Sequence, residues 1–357
     1  MPEVSVVIVS MNRPDILFPC LDSLRSGNEE CILETMVVAY QFTPENLALM
    51  AEKYPWVTIV PSDGIRGFAE NNNLALRCVK GRFCFILNDD TIVPPHAVHS
   101  LMEDFRGLPE DAAALSPAIR FPDGRLQTCG RGPWNSWRYA LHYLHLVDES
   151  RPSRWNKISP RASLGRDDNH GQLVQDGMSV ISSGSRETGV EKSLFQTYTL
   201  NGACFLIRTD IFRQAGWFNP RYFFTPEDIA LGHVLNGLGY SVWADPSVSI
   251  THIAGGSVSA MEQAIKPARV RGSLLFYGEP LWLRLFIWFY EALRFLKHTV
   301  VLWISPRTSQ DEPAISGGDR KVAGAQKSEI MRQTALNVMR TVFSTLSPKE
   351  IFIRFKP

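Results

Sequence analysis

Short apolar runs alternate with amphipathic stretches along the first hundred residues. Val4–Ser10, Thr35–Ala39, Val57–Val60 and Phe83–Leu87 are apolar runs of strand length, each followed by a turn signal. Between them the apolar positions take helical spacing. Leu17, Leu21 and Leu24 follow Pro14, and Pro44–Tyr54, Glu70–Val79 and about Pro95 to Arg106 read the same way. Strand and helix alternating at this interval predict an α/β fold with a doubly wound, mostly parallel sheet. The pattern breaks down between Pro117 and Ser193, where polar residues, Gly and isolated Trp dominate around an apolar patch at Trp134–Leu146. A long insertion or lid is expected there, at about 120–193, with Arg161–Arg186 mobile. Order resumes with a strand at Thr199–Arg208 and a short helix at Thr209–Ala215. A second helix opens at Thr225-Pro226-Glu227-Asp228 and runs through Leu235, followed by strand runs at Tyr240–Ala244 and Val248–Ile250. Residues 1–260 are thus expected to form one α/β domain.

From Glu262 onward the chain reads as mostly helical. The stretch 281–304 is rich in Leu, Trp and Phe, yet it contains Arg284, Glu291, Arg294, Lys297 and His298. Those charges argue against a membrane-spanning helix and for an amphipathic one at an interface. Arg284, Arg294 and Lys297 would then face anionic lipid. Packing of the same face onto protein, including a twin subunit in a homodimer, is the other expectation. Residues 305–327 read as a disordered polar tether, and 328–357 as a final amphipathic helix and tail.

Totals narrow the picture only slightly. With 357 residues, 45% of them hydrophobic, and a formal net charge of +1, nothing in the composition points to nucleic acid. Cys20, Cys31, Cys78, Cys84, Cys129 and Cys204 form no metal-ligand or CxxC spacing, which fits reduced core thiols in a cytoplasmic protein. The apolar run at 4–9 follows Glu3, is too short for a signal sequence, and reads as a first strand.

Candidate chemistry clusters where strands end. Asn88-Asp89-Asp90 leaves the buried run Phe83–Leu87 directly, and two adjacent carboxylates there are costly without a positive partner. Parallel sheets bind ligands at this edge, so a divalent cation carrying a phosphorylated ligand would account for both observations. A solvated Asp-Asp turn is the plain alternative. The turn Ser10–Arg13 ends a strand and starts a helix, a place suited to a nucleotide. Gly64 and Gly67 allow close backbone approach to a ligand. Thr225, Pro226 and the acids after them make a good helix cap, and a helix N-terminus also favours the ionised form that a base requires. His252 follows a strand and precedes Gly255-Gly256-Ser257, which offers backbone room for phosphate.

Six stretches in order resemble the inverting family 2 glycosyltransferases with the GT-A fold, particularly the bacterial rhamnosyltransferase-like branch. They are VSVVIVSMNRP, GFAENNNLAL, FILNDDTIVPP, FPDGRLQTCGR (Phe121–Arg131), the run LNGACFLIRTDIFRQAGWFNPRYFFTPEDIALGHVLNGLGY, and THIAGGS. The resemblance implies that Asn88-Asp89-Asp90 is the DxD-type motif. Asp90 would then hold Mg2+ or Mn2+, and Asp89 would lie toward the donor's ribose. It implies that Asp228 is the general base, with Glu227 as the alternative, and that His252 lies near metal and diphosphate. Ser10, Asn12, Arg13 and Asp63 match the nucleoside cradle, and Gly67 and Asn73 the approach to the phosphate-facing helix. Val38-Ala39-Tyr40-Gln41 departs from the family's base-contacting pattern, which leaves the nucleobase open.

The implied reaction is a single inverting displacement from a dTDP- or UDP-sugar, with dTDP-rhamnose favoured. The implied acceptor is a glycan or lipid-linked hydroxyl in cell-surface polysaccharide synthesis. The protein would then be cytoplasmic and peripheral on the inner face of the plasma membrane. A sugar nucleotidyltransferase would need a Gly-rich basic loop where Ser10–Pro14 stands, and a haloacid-dehalogenase-type phosphatase an Asp nucleophile in place of Asn88. A catalytically inactive sugar-nucleotide or glycan-binding protein is the rival from another class.

Overall fold

The computed structural model describes residues 2–147, 172–175, 178–184, 191–253, 261–304 and 318–356. The chain divides into two units, the first made of Met1–Trp134, His145–Pro220 and Glu227–Gly256. It begins with β1 (Val4–Ser10), α1 (Pro14–Arg25), β2 (Ile32–Tyr40), α2 (Pro44–Lys53), β3 (Val57–Ser62) and α3 (Phe68–Leu76). Next come β4 (Phe83–Asn88), the short β5 (Thr91–Ile92), α4 (Ala97–Arg106), β6 (Ala112–Arg120) and β7 (Leu126–Thr128). After α5 (Ser136–Tyr143), which belongs to the second unit, follow β8 (Gln172–Gln175), β9 (Met178–Gly184) and β10 (Glu191–Thr197). The unit closes with β11 (Cys204–Arg208), α6 (Thr209–Gln214), α7 (Glu227–Gly237) and β12 (Ser241–His252).

These strands build one sheet in the order β3-β2-β1-β4-β11-β6-β12-β10-β9-β8, with β5 on β12 and β7 on β6. The first four are parallel. β11 is antiparallel to both β4 and β6, so β6 and its parallel partner β12 run in the direction of β4. The pleat sorts the apolar runs onto two cores. Val6, Ile8, Phe85 and Leu87 pack with Leu17, Leu21 and Leu101 on one face. Val7, Cys84, Ile86 and Phe205 pack with Leu76, Phe212, Phe218 and Leu231 on the other. Burial on both faces is why these strands read as continuous apolar runs.

Several boundaries differ from the sequence expectation, each for a local reason. The stretch expected to be irregular from Pro117 contains the second half of β6, buried except at its end. Its sequence AAALSPAIR is poor in β-branched residues and carries a proline, so it signals strand weakly. Pro117 is tolerated because β12 bulges opposite it, where the register steps from Asp245 to Ser249. The Asp245 Oδ1 atom accepts from the Ser247 N–H at 2.8 Å and the Ser247 hydroxyl at 2.6 Å and shapes that bulge, joining two expected strands into one. The strand expected at Thr199–Arg208 starts only at Cys204, because Asn201 turns the chain and takes the Ala203 N–H at 2.9 Å. The segment Arg161–Arg186 falls largely outside the described residues.

The second unit comprises Asn135–Leu144, Arg221–Pro226 and Ser257–Pro357. It holds α5, α8 (Glu262–Phe276), α9 (Leu281–Ile304), α10 (Gly318–Val342) and α11 (Pro348–Phe355) around Ala140, Val270, Leu274, Leu283, Ile287, Val338 and Val342. Helix α10 begins at Gly318, inside the stretch expected to be tether; residues 305–317 lie outside the described residues. Gly272 is required where α8 crosses the 221–226 segment, since a Cβ there would lie 2.3 Å from the Thr225 carbonyl oxygen.

Glu291 is fully buried on α9 and gathers three groups. It accepts from the Tyr143 hydroxyl at 2.6 Å, from Lys266 Nζ at 2.9 Å and from Arg294 Nη1 at 2.9 Å. Burial by itself would raise this carboxyl, but Lys266 and Arg294 outweigh it and hold it below its ordinary value. Burial also pushes the Lys266 ammonium down while Glu291 draws it back up, so Lys266 and Arg294 secure the carboxylate together. Arg284 is likewise engaged, by Glu279. Two of the three cations expected to face lipid therefore serve internal ion pairs, and Lys297 is left exposed. The apolar half of that expectation remains visible. Leu285, Phe289, Leu293, Leu296, Val300 and Ile304 recur at helical spacing and are all exposed. No helix among the described residues is long and apolar enough to cross a membrane.

Replacing Glu291 by Gln leaves two cations facing each other without a counter-charge. Unfolding free energy should fall by about 3 kcal/mol at neutral pH in urea titrations. Because the folded carboxyl is depressed, its contribution is complete above the ordinary carboxylate range and is lost as pH falls. The gap between wild type and Glu291→Gln should therefore narrow in acid.

Candidate active site

Strand register places the candidate residues of the first unit along one sheet edge. Val9 pairs with Asn88, Ser10 with Ala39, and Tyr40 with Ser62, so β1 to β4 all release their chains at the same level. That edge carries Ser10–Arg13, Tyr40-Gln41, Asp63 and Asn88–Asp90. β11 runs the opposite way, with Cys204 paired to Leu87, and delivers the turn Asn201–Ala203 there too. The Asn88 N–H donates to the Ala203 carbonyl at 2.9 Å and locks the two ends together.

Asp90 meets His252 because β5 pairs with the end of β12, Thr91 opposite His252. The Ile253 N–H donates to the Asp90 carbonyl at 2.9 Å. The Asp90 Oδ1 atom then lies 3.1 Å from His252 Nε2, and Asn88 Nδ2 lies 3.4 Å from the same nitrogen. His252 Nδ1 is 2.8 Å from Gln127 Oε1. Among the described residues no three His, Cys, Asp or Glu side chains converge on one point. A hard cation at Asp90 and His252 would thus find two protein ligands and need phosphate oxygens and water for the rest, which suits an ion that arrives with a nucleotide. Asp89 lies beside Ser10 and Arg13. Burial pushes its carboxyl up to about 6, the Ser10 hydroxyl and Arg13 draw it down, and Asp90 adds to the rise.

Asp228 sits in the first turn of α7, where the helix N-terminus favours an anion. Its Oδ2 atom accepts from the Gly202 N–H at 3.0 Å and from Arg131 Nη1 at 3.2 Å, and its Oδ1 atom from the Ile229 N–H at 2.8 Å. Glu227 is buried beside it. Gly130 sets the approach of Arg131. Its φ is +70°, and a Cβ would lie 2.8 Å from the Thr197 hydroxyl, which itself accepts from the Arg131 N–H at 2.7 Å.

Other candidates have partners of their own. Asn12, at φ 47°, accepts through Oδ1 from the Asn46 amide at 2.8 Å and the Thr43 N–H at 3.1 Å, bracing the start of α2. Arg13 forms a bidentate pair with Asp15. Asn73 exchanges both its amide groups with the Phe218 backbone, at 2.8 and 3.2 Å. That pairing ties α3 to the turn after α6. The Gly67 N–H caps α3 by donating to Glu70. Asp63 is exposed after β3, and Tyr40 is buried. Gly255-Gly256-Ser257 lies outside the described residues. Sequence reasoning assigned no role to Arg131 or Gln127, although both lie in Phe121–Arg131, one of the six matching stretches. Gln127 lies in the three-residue β7 and Arg131 just beyond it, segments too short to carry a periodic signal that would have singled them out.

The model of the family described as Glycosyl transferase family 2 matches residues 5–160. The O-antigen biosynthesis protein RfbC of Myxococcus xanthus is 23% identical over 254 residues, covering 70% of this chain and 17% of that protein. The N-acetylglucosaminyl-diphospho-decaprenol L-rhamnosyltransferase of Mycobacterium tuberculosis is 25% identical over 229 residues, covering 56% of this chain and 60% of that protein. Over these stretches the chain is similar to family 2 glycosyltransferases. The chain spans less than two thirds of the length of either relative. A crystal structure of GalNAc-T7 with UDP, GalNAc and Mn2+ aligns at a TM-score of 0.52 and 14% identity, covering 96% of this chain and 58% of the other. That likeness establishes the GT-A fold.

The Arg131–Asp228 pair is largely shielded, with side chains 17% and 13% exposed, so it should be measurable. Arg131→Gln should lower unfolding free energy by about 1–3 kcal/mol. Combined with Asp228→Asn, the two changes should fall short of additive by about 1 kcal/mol in denaturant titrations.

Proposed function

We propose that the protein is a metal-dependent inverting glycosyltransferase that moves a sugar from a nucleoside-diphosphate sugar to a hydroxyl of a glycan or lipid-linked acceptor in cell-surface polysaccharide synthesis. The observation that carries this reading is the shared edge. Asp228 is held there as an oriented, multiply bonded carboxylate, on the same margin that presents Asp90 and His252.

Asp228 receives the proton of the acceptor hydroxyl as that oxygen attacks the anomeric carbon. Arg131 and the Gly202 N–H hold Oδ2 of the carboxylate and the Ile229 N–H holds Oδ1, so its direction is fixed. Glu227, one residue earlier on α7, is the alternative base. Asp90 and His252 would hold Mg2+ or Mn2+, which when bound neutralises the charge on the departing diphosphate. Ser10 and Asp89 face the donor's ribose, with Asn12, Arg13 and Asp63 around the nucleoside and Gly67 and Asn73 shaping the start of α3. A dTDP-sugar, dTDP-rhamnose in particular, is the first donor to test and a UDP-sugar the second. The named activity of the mycobacterial relative supports rhamnosyl transfer to a polyprenol-linked acceptor. In this reading the protein works in the cytoplasm at the inner face of the plasma membrane, a location consistent with six free thiols.

Calorimetric titration of dTDP, UDP and GDP with and without Mn2+ tests the donor site. One nucleotide should bind in a Mn2+-dependent manner, and Asp90→Ala should lose that dependence. With the matching sugar nucleotide and acceptor, Asp228→Asn should lower kcat by about a hundred- to ten-thousand-fold at nearly unchanged donor affinity. Binding of none of the three nucleotides would overturn the reading.

An acceptor anchored in lipid would also give the exposed face of α9 a surface to rest on. The full chain should float with phosphatidylglycerol-containing vesicles, and Leu285→Glu/Phe289→Glu/Leu293→Glu should float less. Since Arg284 and Arg294 are engaged internally, that binding should depend only weakly on salt. A change in sedimentation mass in the triple variant, without a change in flotation, would assign the face to a homodimer instead.

A further inference from the structure

We propose that Gln127 is a positioning residue: it fixes which ring nitrogen His252 presents to the candidate cation site. The proposal deepens the metal-dependent reading above and rests on it. The sequence Phe121-Pro122-Asp123-Gly124-Arg125 closes a tight turn, with Gly124 at φ +83° and the Phe121 N–H donating to the Arg125 carbonyl at 2.9 Å. Asp123 Oδ1 takes the Arg125 N–H at 3.0 Å, and Arg120 Nη1 reaches the Gly124 carbonyl at 3.0 Å. That turn sends β7 back along β6, Thr128 opposite Ile119. Side chains alternate along a strand. Leu126 packs against Ala118, Cys129 and Ala244, Thr128 is buried, and Gln127 between them projects the other way, onto His252.

A carboxamide oxygen only accepts, so at 2.8 Å from Gln127 Oε1 the Nδ1 atom of His252 is the one that carries hydrogen. In the neutral ring the lone pair is then on Nε2, the atom 3.1 Å from Asp90 Oδ1. Two electron-rich atoms at that separation suit a shared cation. Histidine ligands commonly donate their second N–H to an oxygen that sets ring orientation and tautomer. With Asp90 and His252 the two candidate ligands that meet here among the described residues, ring orientation matters to half of the set.

The test compares wild type with Gln127→Met, which has similar volume and no acceptor oxygen, and with Gln127→Glu, which restores one. Mn2+ affinity is measured by calorimetry in the presence of whichever of dTDP or UDP binds, and histidine ligation by the 14N coupling of bound Mn2+ in pulsed electron paramagnetic resonance. Gln127→Met should weaken Mn2+ binding by about 10–100-fold and reduce the 14N coupling, and Gln127→Glu should recover both. Thermal midpoints without metal should agree among the three. Wild-type affinity and coupling in Gln127→Met would overturn the proposal alone. So would a loss that Gln127→Glu does not recover. A wild type that binds Mn2+ without 14N coupling would show His252 merely paired to Asp90 and would also overturn it. Absence of Mn2+ binding in the wild type would overturn the metal reading and the proposal together, before any variant is compared.

Discussion

Two carboxylates emerge side by side from a strand buried on both faces of the sheet, and the arrangement around them follows from the need to compensate that charge. β4 is apolar on both faces because helices cover the sheet on each side, so its end opens from a low-dielectric interior. Asp89 responds with a raised carboxyl beside Ser10 and Arg13. Asp90 responds through position, brought against His252 by the pairing of β5 with β12. A strand that ended one residue earlier or later would turn these groups to the other face, because the side-chain period is two.

Asp228 shows the complementary solution. It has a guanidinium, two backbone N–H groups and a helix N-terminus around it, so its orientation is set by contacts from three parts of the chain. The buried Glu291 of the helical unit solves the problem a third way, with Arg294, Lys266 and Tyr143 inside a packed helix bundle. Similar charge compensation thus supports a site in one unit and packing in the other.

The reach of sequence reasoning tracks the physics of each element. β1 to β4 and their helices were legible because continuous burial writes an apolar run, and each boundary fell within a few residues of the expected one. β6 was not legible, since an alanine-rich segment with Pro117 acquires its strand character from β11, β12 and a bulge far away in the chain. The polar residues divided in the same manner. Asp90 and Asp228 stand at strand and helix ends, where local sequence announces them. Asn73 matches a donor-binding position in sequence, and only the structure shows that its amide clamps the Phe218 backbone, a partner 145 positions away.

What the sequence by itself determined is the alternating α/β order, the carboxylates at the exit of β4 and the acid at the start of α7, because each depends on short-range periodicity and capping. Only the tertiary structure decided that Arg131 holds Asp228, that Gln127 holds His252, and that two cations of α9 turn inward to Glu279 and Glu291. Those pairings join residues from distant parts of the chain, or from one face of a helix rather than another. Their energies arise only once the sheet register and the helix packing have brought the partners within hydrogen-bond reach.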